Sequence, residues 1–310
     1  MSRGLGDVYK RQFEDCYKEN AFLAEDIRQT VQNGVPLSEI AVLFRTNMQP
    51  RALMEYMVSA NLAFQTKDRI PDIYEHWIAR DFFTYIRIAQ GSDSRADFLS
   101  IMNRPKRYIG RDSLPDETVC FDEWMKLYEE QPWIAERIEK LWYDLKHLSH
   151  LSPYAAINYI RRGIGYDDYL AEYAEYRNAN KEDFYEVADE ILASAKGYRT
   201  FEEWFAHIEE YRQELKKLAQ EKRRNQNAVT FATLHSAKGL EFTKVYLIDV
   251  NEGVMPYKKA VLKQDVEEER RLFYVGMTRA KESLTICSVK KMRGKEVELS
   301  RFIKEAGKEP

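Results

Sequence analysis

Hydrophobic residues recur at helical spacing near the start of the chain and give way to a short apolar run. Phe13, Tyr17, Phe22, Leu23, Ile27 and Val31 predict a helix over 13–33 that ends at Asn33-Gly34. The run Ile-Ala-Val-Leu-Phe at 40–44 predicts a buried strand. Helices are predicted next over 51–60, after Pro50, and over 72–90, before Gly91.

The hydrophobic pattern changes from about residue 108 to residue 225. This stretch is rich in Tyr, Trp, Glu and Lys, has almost no period-2 alternation, and is divided by prolines and glycines. It predicts a succession of helices, the last over about 201–224.

Apolar runs typical of strands return at 228–234, 244–250 and 283–289, with a predicted helix over 265–281. One strand before the helical stretch and three after it are too few for separate sheets. Together they predict one modest parallel sheet in an α/β domain that a helical segment interrupts.

The first twelve residues, MSRGLGDVYKRQ, follow neither a helical nor a strand period. We interpret them as a leader, a cloning remnant or a gene-prediction artefact, and expect them to take no part in the fold.

Composition narrows the class of protein. The 310 residues allow two domains, and 44% hydrophobic with 32% charged residues indicates a soluble, folded protein. The net charge of −3 gives no overall signal for nucleic acid. Cys16, Cys120 and Cys287 are too far apart for a metal cluster of the usual spacing, and favour a reducing cytoplasm. No apolar run is long enough to span a bilayer, so we expect no membrane association.

Four candidate functional residues lie in ATLHSAKGLEF, residues 232–242. The predicted strand delivers His235 to its carboxyl end, where open parallel sheets bind ligands. Gly239 permits a tight turn or a close approach of backbone to a ligand. Lys238 offers a cation to phosphate, and Glu241 an acceptor for a ribose hydroxyl. The alternative is a strand–turn–strand whose polar residues are merely solvated.

A candidate arginine lies in EEERRLFYVGMTRAKESL, residues 267–284. Leu272, Val275 and Arg279 have helical spacing, which places Arg279 on the inward side of the predicted helix. A guanidinium there can stabilise charge on a transferring phosphoryl group. The alternative is a surface helix with Glu–Arg pairs at i,i+4, which the three glutamates 267–269 fit well.

A third stretch, FRTNMQPR at 44–51, follows the first strand directly. Arg45 at the strand end is placed to bind phosphate, and Phe44 could stack on a base. The alternative is a helix entry with Thr46 or Asn47 as the N-cap.

In order, these three stretches resemble motifs IV, V and VI of superfamily 1 DNA helicases of the UvrD, PcrA and Rep type. RDFFTYIRIAQ (80–90) and NRPKRYIG (103–110) are similar to the family's connecting motifs. The resemblance covers about 13–290. It implies a RecA-like parallel-sheet motor domain, 2A, over 13–107 and 226–290, interrupted by an all-helical domain, 2B, over 108–225. Residues 291–310 are then a C-terminal tail.

The resemblance implies a nucleotide site made of five residues. Arg45 and Arg279 would contact the γ-phosphate of ATP bound between two motor domains, and are the expected catalytic residues. Glu241 would hold the ribose or polyphosphate, with Gly239 allowing the approach. Phe44 replaces the family's usual tyrosine and would stack on adenine, because the ring is kept.

The resemblance also implies contacts with single-stranded DNA. Thr233 and His235 would touch the DNA backbone, and Lys238 is a weaker candidate for phosphate. The implied partners are single-stranded and tailed duplex DNA. The implied activity is 3′→5′ travel of the helicase along the strand, with unwinding of duplex, in DNA repair or replication.

The family's P-loop, G-x-x-x-x-G-K-[ST], is absent from the 310 residues, since Gly294-Lys295 is followed by Glu296 and lacks the earlier glycine. We therefore expect the C-terminal half of a helicase, whose partner is a missing N-terminal motor domain. That domain would supply the Mg²⁺ ligands, so this chain should not hydrolyse ATP alone. The alternative is a catalytically inactive DNA-binding or regulatory module; the helicase half of a helicase–nuclease ranks lower.

Overall fold

The computed structural model describes residues 7–68, 70, 72–221 and 227–306. They form two compact units. The first, called here the α/β unit, comprises the described residues up to 70 and from 210 onward. The second, the helical unit, comprises residues 72–209. The helical unit is thus an insertion in the sequence of the α/β unit.

The α/β unit is built on one seven-stranded sheet. Its strands are β1 (Asp7–Asp15), β2 (Ile40–Phe44), β3 (Phe64–Thr66), β4 (Val229–Thr233), β5 (Phe242–Leu247), β6 (Ala280–Met292) and β7 (Lys295–Glu296). The order is β1-β6-β5-β2-β4-β3, and all these neighbours pair in parallel. β7 pairs antiparallel with β6.

The helices are α1 (Cys16–Gln32), α2 (Arg51–Ser59), α3 (Trp77–Ala89), α4 (Arg95–Ile101), α5 (Phe121–Lys126), α6 (Pro132–Leu148), α7 (Pro153–Asn158), α8 (Tyr166–Tyr176), α9 (Lys181–Ser194), α10 (Phe201–Glu221), α11 (Lys263–Met277) and α12 (Arg301–Glu305). Short 3-10 turns occupy Leu37–Glu39, Ile73–Glu75 and Arg111–Ser113, and a π-helical turn occupies Tyr159–Gly163.

The two faces of the sheet carry separate apolar clusters. Val42 of β2 packs with Leu23 of α1 and Met54 of α2. The next residue, Leu43, packs in the other cluster with Phe273 of α11. Because successive side chains of a strand point to opposite faces, the alternation along β2 fills both clusters. All five residues of β2 are buried, as expected for a parallel sheet covered on both sides.

In the helical unit, the two stretches that resemble connecting motifs are joined by an ion pair. Arg104 Nη1 donates to the buried carboxylate of Asp81 at 2.7 Å, and Tyr166 Oη donates to the same carboxylate at 2.5 Å. The pair links α3 to the loop after α4, and Tyr166 ties α8 to both.

The predicted fold class is confirmed: four strands and their helices lie within a few residues of their predicted positions, in a mainly parallel sheet. The unit boundaries differ from the predicted 108–225, because 72–107 belong to the helical unit and 210–221 belong to the α/β unit. There α3 packs against α6 and α9. The hydrophobic pattern of α3 shows that it has a buried face, but not what covers that face.

Two expectations about the ends of the chain were wrong. Residues 7–12, which we excluded from the fold, belong to β1, paired in parallel with β6. The strand escaped prediction because it is exposed along most of its length and has no apolar alternation. Residues 291–306 are not a simple tail, since they contain β7 and α12, and α12 buries Phe302. Residues 1–6 and 307–310 lie outside the described part.

Candidate functional site

Gln49 closes the turn that follows β2. Its Oε1 accepts from the backbone N–H groups of Arg45 at 2.8 Å and Thr46 at 2.7 Å. Its Nε2 donates to Asp249 Oδ2 at 3.3 Å, which ties the turn to the residues after β5. The alternative for this stretch, an N-cap at Thr46 or Asn47, was wrong, because Pro50 is the residue that precedes α2 and it supplies no side-chain cap.

The guanidinium of Arg45 is held by a carboxylate from α11. Arg45 Nε lies 3.0 Å from both oxygens of Glu269, and Nη2 lies 2.8 Å from Oε1. Glu269 Oε2 also accepts from the backbone N–H of Tyr257 at 3.0 Å. The Tyr257 ring centroid is 5.2 Å from Arg45 Cζ, within cation–π range.

This pair corrects our alternative for residues 267–269. That alternative placed the glutamates on a solvated face in local Glu–Arg pairs, but the side chain of Glu269 is only 9% exposed and reaches across the unit to Arg45. Glu267 does form a local ion pair, with Arg270, but at i,i+3 and not at the i,i+4 spacing of the alternative. Glu269 is a site residue that sequence reasoning missed.

Phe44, the last residue of β2, is 1% exposed. Its ring packs in the apolar cluster with Leu53 and Met54, 6.5 Å from the Phe231 ring centroid. Stacking on adenine requires an accessible ring face. That role for Phe44 stays a prediction, and it requires the ring to become accessible from its buried position.

The turn over 234–239 follows β4. The backbone N–H of Thr233 donates to Asp68 Oδ2 at 2.7 Å, and the hydroxyl of Ser236 donates to Asp68 Oδ1. The Thr233 hydroxyl donates to Ser236 Oγ at 3.0 Å. Asp68, missed by sequence reasoning, therefore joins the predicted DNA contact Thr233, the last residue of β4, to the first part of the turn.

Gly239 adopts φ +85°, in the left-handed region that favours glycine. An added Cβ would meet nothing within 4 Å, so the constraint is conformational. This confirms the predicted tight turn. His235, Lys238 and Glu241 around it are exposed, and none has a side-chain hydrogen bond or ion pair to a residue within the described ranges. All three are accessible to a ligand.

Arg279 lies beyond the end of its helix, because α11 ends at Met277 and not at the predicted 281. Its guanidinium folds back: Nε donates to the Val275 carbonyl, Nη1 to the Leu240 carbonyl and Nη2 to Thr278 Oγ1, each at 2.9 Å. All three acceptors are uncharged. In the part of the chain that the structure describes, Arg279 forms no ion pair with a carboxylate.

The structure brings some predicted residues together and keeps others apart. Through Leu240, Arg279 is joined to the loop that carries Gly239 and Glu241. Arg45 is joined to α11 through Glu269. Arg45 follows the carboxyl end of β2, whereas Arg279 precedes the amino end of β6, and both strands run parallel to β5. The sheet alone therefore does not bring the two arginines into contact.

Within the described ranges, no group of three or more His, Cys, Asp or Glu side chains is placed to hold a metal ion. Among the helices in the described part of the chain, none is both long and apolar enough to cross a membrane.

The sequence profile of the UvrD-like helicase C-terminal domain matches residues 6–127 and 122–291, most of the chain. The chain belongs to this family. The match includes all three motif stretches, and confirms the resemblance drawn from them.

Several curated proteins are similar to this UvrD-like chain. A putative ATP-dependent DNA helicase YjcD of Bacillus subtilis is 27% identical over 303 residues, covering 93% of this chain and 39% of that protein. The ATP-dependent DNA helicase PcrA of the same organism is 28% identical, covering 88% and 40%. The ATP-dependent DNA helicase Rep of Salmonella typhimurium is 27% identical, covering 88% and 44%. The chain thus spans about two-fifths of the length of these relatives.

Proposed function

We propose that this chain supplies the second motor domain of an ATP-dependent DNA helicase that moves 3′→5′ on single-stranded DNA and unwinds duplex. Family membership and the names of the relatives support the class of activity. The proposed setting is DNA repair or replication in the cytoplasm, and the proposed partners are single-stranded and tailed duplex DNA.

The observation that carries the proposal is the arrangement of Arg279. Three uncharged acceptors fix its guanidinium, and one of them is the Leu240 carbonyl of the loop that holds Glu241. A positive charge that is positioned but not neutralised is suited to stabilise charge on a transferring phosphoryl group. We assign Arg279 as the catalytic arginine and Glu241 as the ligand of ribose or polyphosphate, with Gly239 allowing the approach.

We assign Arg45 as a second γ-phosphate ligand and Phe44 as the adenine-stacking ring. Thr233, His235 and Lys238 are the proposed DNA contacts. The exposure of Lys238 supports its role, because a cation that neutralises a DNA phosphate must reach it directly, and the exposed ring of His235 is accessible to the same strand. His235 and Glu241 lie at opposite ends of one short loop. A change at Glu241 in the nucleotide site can therefore be transmitted through this loop to His235 and the DNA strand.

ATP hydrolysis also needs a P-loop and ligands for Mg²⁺, which we propose lie on a separate first motor domain. The 310 residues contain no P-loop sequence. We therefore propose that the chain alone does not hydrolyse ATP, and that the nucleotide binds between this chain and that domain.

The experiment that tests this measures ATPase activity and unwinding by the chain, alone and mixed with a separately expressed P-loop motor domain from a helicase relative. Duplexes with a 3′ tail and with a 5′ tail are compared. The expected result is activity only in the mixture and only on the 3′-tailed duplex. Absence of activity in a mixture shown to associate would contradict the proposal and favour an inactive DNA-binding or regulatory module.

A further inference from the structure

We infer that Glu269 is a positioning residue, which holds the guanidinium of Arg45 in the orientation that binds phosphate. The inference rests on the proposed function, because it concerns the same nucleotide site. Glu269 lies 224 residues after Arg45 and belongs to α11, whereas Arg45 follows β2. Their contact is therefore made by the fold and not by local sequence.

The carboxylate binds the guanidinium from the side. It engages Nε and Nη2 of Arg45, and Nη1 has no hydrogen bond to any residue in the described ranges. A guanidinium carries five N–H donors in a planar fork. Side-on binding uses one donor of Nε and one of Nη2. The end-on edge, with one donor on each terminal nitrogen, remains available for the paired contact that guanidinium groups make with phosphate oxygens.

Glu269 is itself fixed by several contacts. Its side chain is 9% exposed, and its Oε2 also accepts from the backbone N–H of Tyr257. The ring of Tyr257 lies against the guanidinium of Arg45. At the other end of the arginine, Gln49 holds the backbone N–H groups of residues 45 and 46. Both ends of Arg45 are therefore held before a ligand arrives.

Prior positioning matters because an error of about 1 Å in the placement of a catalytic group can cost about 10²-fold in rate. The arginine side chain is long, and its rotamer entropy must otherwise be lost when phosphate binds. The competing possibility is a latch, in which Glu269 neutralises Arg45 and must release it to phosphate. A latch requires the Arg45–Glu269 bonds to break in the nucleotide-bound state, whereas a positioning residue keeps them.

The test uses Glu269→Gln and Glu269→Asp in the complete chain. The control is Glu268→Gln, the same change in charge one residue earlier at an exposed position. The first readout is the Nε–H signal of Arg45 in ¹⁵N NMR spectra, assigned by its loss in Arg45→Lys. Slow exchange of this proton is expected in wild type and Glu268→Gln, and fast exchange in Glu269→Gln. Circular dichroism checks folding; if Glu269→Gln does not fold, Glu269→Asp carries the comparison.

The second readout is ATPase activity with the separate P-loop motor domain. We expect Glu269→Gln to lower kcat about 10²-fold, with little change in KM for ATP. Glu269→Asp keeps the charge on a shorter side chain and should be intermediate, and Glu268→Gln should match wild type. The Arg45 Nε–H signal should stay protected when a nonhydrolysable ATP analogue is added to the mixture.

Two outcomes overturn this inference alone. One is an active mixture in which Glu269→Gln and Glu268→Gln have the same kcat. The other is loss of the protected Arg45 signal when the analogue binds, which would show a latch. An inactive wild-type mixture would overturn the proposed function and this inference together, so the two failures are distinguishable.

Discussion

The guanidinium of Arg279 donates to the carbonyl of Leu240 at 2.9 Å. This bond joins the residue between α11 and β6 to the loop between β4 and β5. The backbone continues the connection, since the N–H of Phe242 donates to the carbonyl of Arg279, also at 2.9 Å. The proposed catalytic arginine and the proposed nucleotide-binding loop therefore cannot move independently without breaking these bonds.

Replacing Arg279 tests whether its fixed charge is used in catalysis. Arg279→Ala should lower kcat of the reconstituted ATPase about 10³-fold or more, the usual effect of losing an arginine finger. Arg279→Lys should be nearly as inactive, because an ammonium cannot reproduce three bonds in a planar fork. Arg271→Ala, an exposed change on the same helix, should leave kcat unchanged. Equal activity of the Arg279 and Arg271 variants would contradict the assignment.

The parts of the fold that could be predicted from sequence are those with a local period. Strands β2, β4, β5 and β6 contain buried apolar runs, and α1 has apolar residues at helical spacing. Strand β1 could not be predicted, because it has no apolar alternation, is mostly exposed, and its pairing depends on β6, far away in the sequence. Strand β3 has only three residues, too few for a period.

The residues of the candidate site likewise include some that could be predicted from the sequence and some that could not. Gly239 was predictable because a positive φ imposes a residue type at one position. Glu269 and Asp68 were not, because their partners lie 224 and 165 residues away and each resembles an ordinary surface carboxylate. The end of α11 before Arg279 was also missed, since the helical spacing of apolar residues continues past the last helical residue.

Gln49 should control the order of the turn that carries Arg45. In Gln49→Leu, the N–H groups of Arg45 and Thr46 lose their acceptor, at a cost of about 1–2 kcal/mol. Hydrogen exchange of these two amides should therefore be about tenfold faster. Mass spectrometry of a peptide over 44–50 measures this. Gln264→Leu, an exposed change on α11, is the control. Unchanged exchange in Gln49→Leu would show that the side chain does not hold the turn.

Gly276 permits the close packing of α11 on the sheet. A Cβ at this position would overlap Cδ2 of Leu234 and would lie 3.1 Å from Cδ2 of Leu247. Gly276→Ala should therefore reduce the free energy of unfolding by about 1–3 kcal/mol, measured in urea. Tyr274→Ala, at a position 61% exposed on the same helix, should have much less effect.

A double mutant separates this clash from any general effect on α11. Leu234→Ala alone creates a cavity and should be destabilising. Combined with Gly276→Ala, it removes the side chain that the new methyl group meets. The loss of stability in the double mutant should then be smaller than the sum of the two single losses. Simple additivity would show that Leu234 is not the obstacle.

Glu19 and Asp249 form a buried carboxyl pair that predicts an unusual pH dependence of stability. The backbone N–H of Asp249 donates to Glu19 Oε1 at 3.3 Å, and Glu19 is 1% exposed. Burial, reinforced by the charge of Asp249, holds the pKa of Glu19 well above its ordinary value. The folded chain thus keeps a proton that the unfolded chain releases above pH about 4.3. Stability contributed by this group is complete below that pH and is lost as pH rises toward the folded pKa.

Glu19→Gln removes this titration and leaves a neutral side chain of the same shape, which can accept from the same N–H. Its free energy of unfolding in urea should match wild type near pH 4 and exceed it at pH 6 and 8, where wild type must either bury the charge or hold the proton. The control is Glu25→Gln, since the side chain of Glu25 on α1 is 58% exposed. Its free energy of unfolding should follow that of wild type at all three pH values. If the free energy of unfolding of Glu19→Gln differed from that of wild type by the same amount at every pH, Glu19 would not take up a proton on folding between pH 4 and 8.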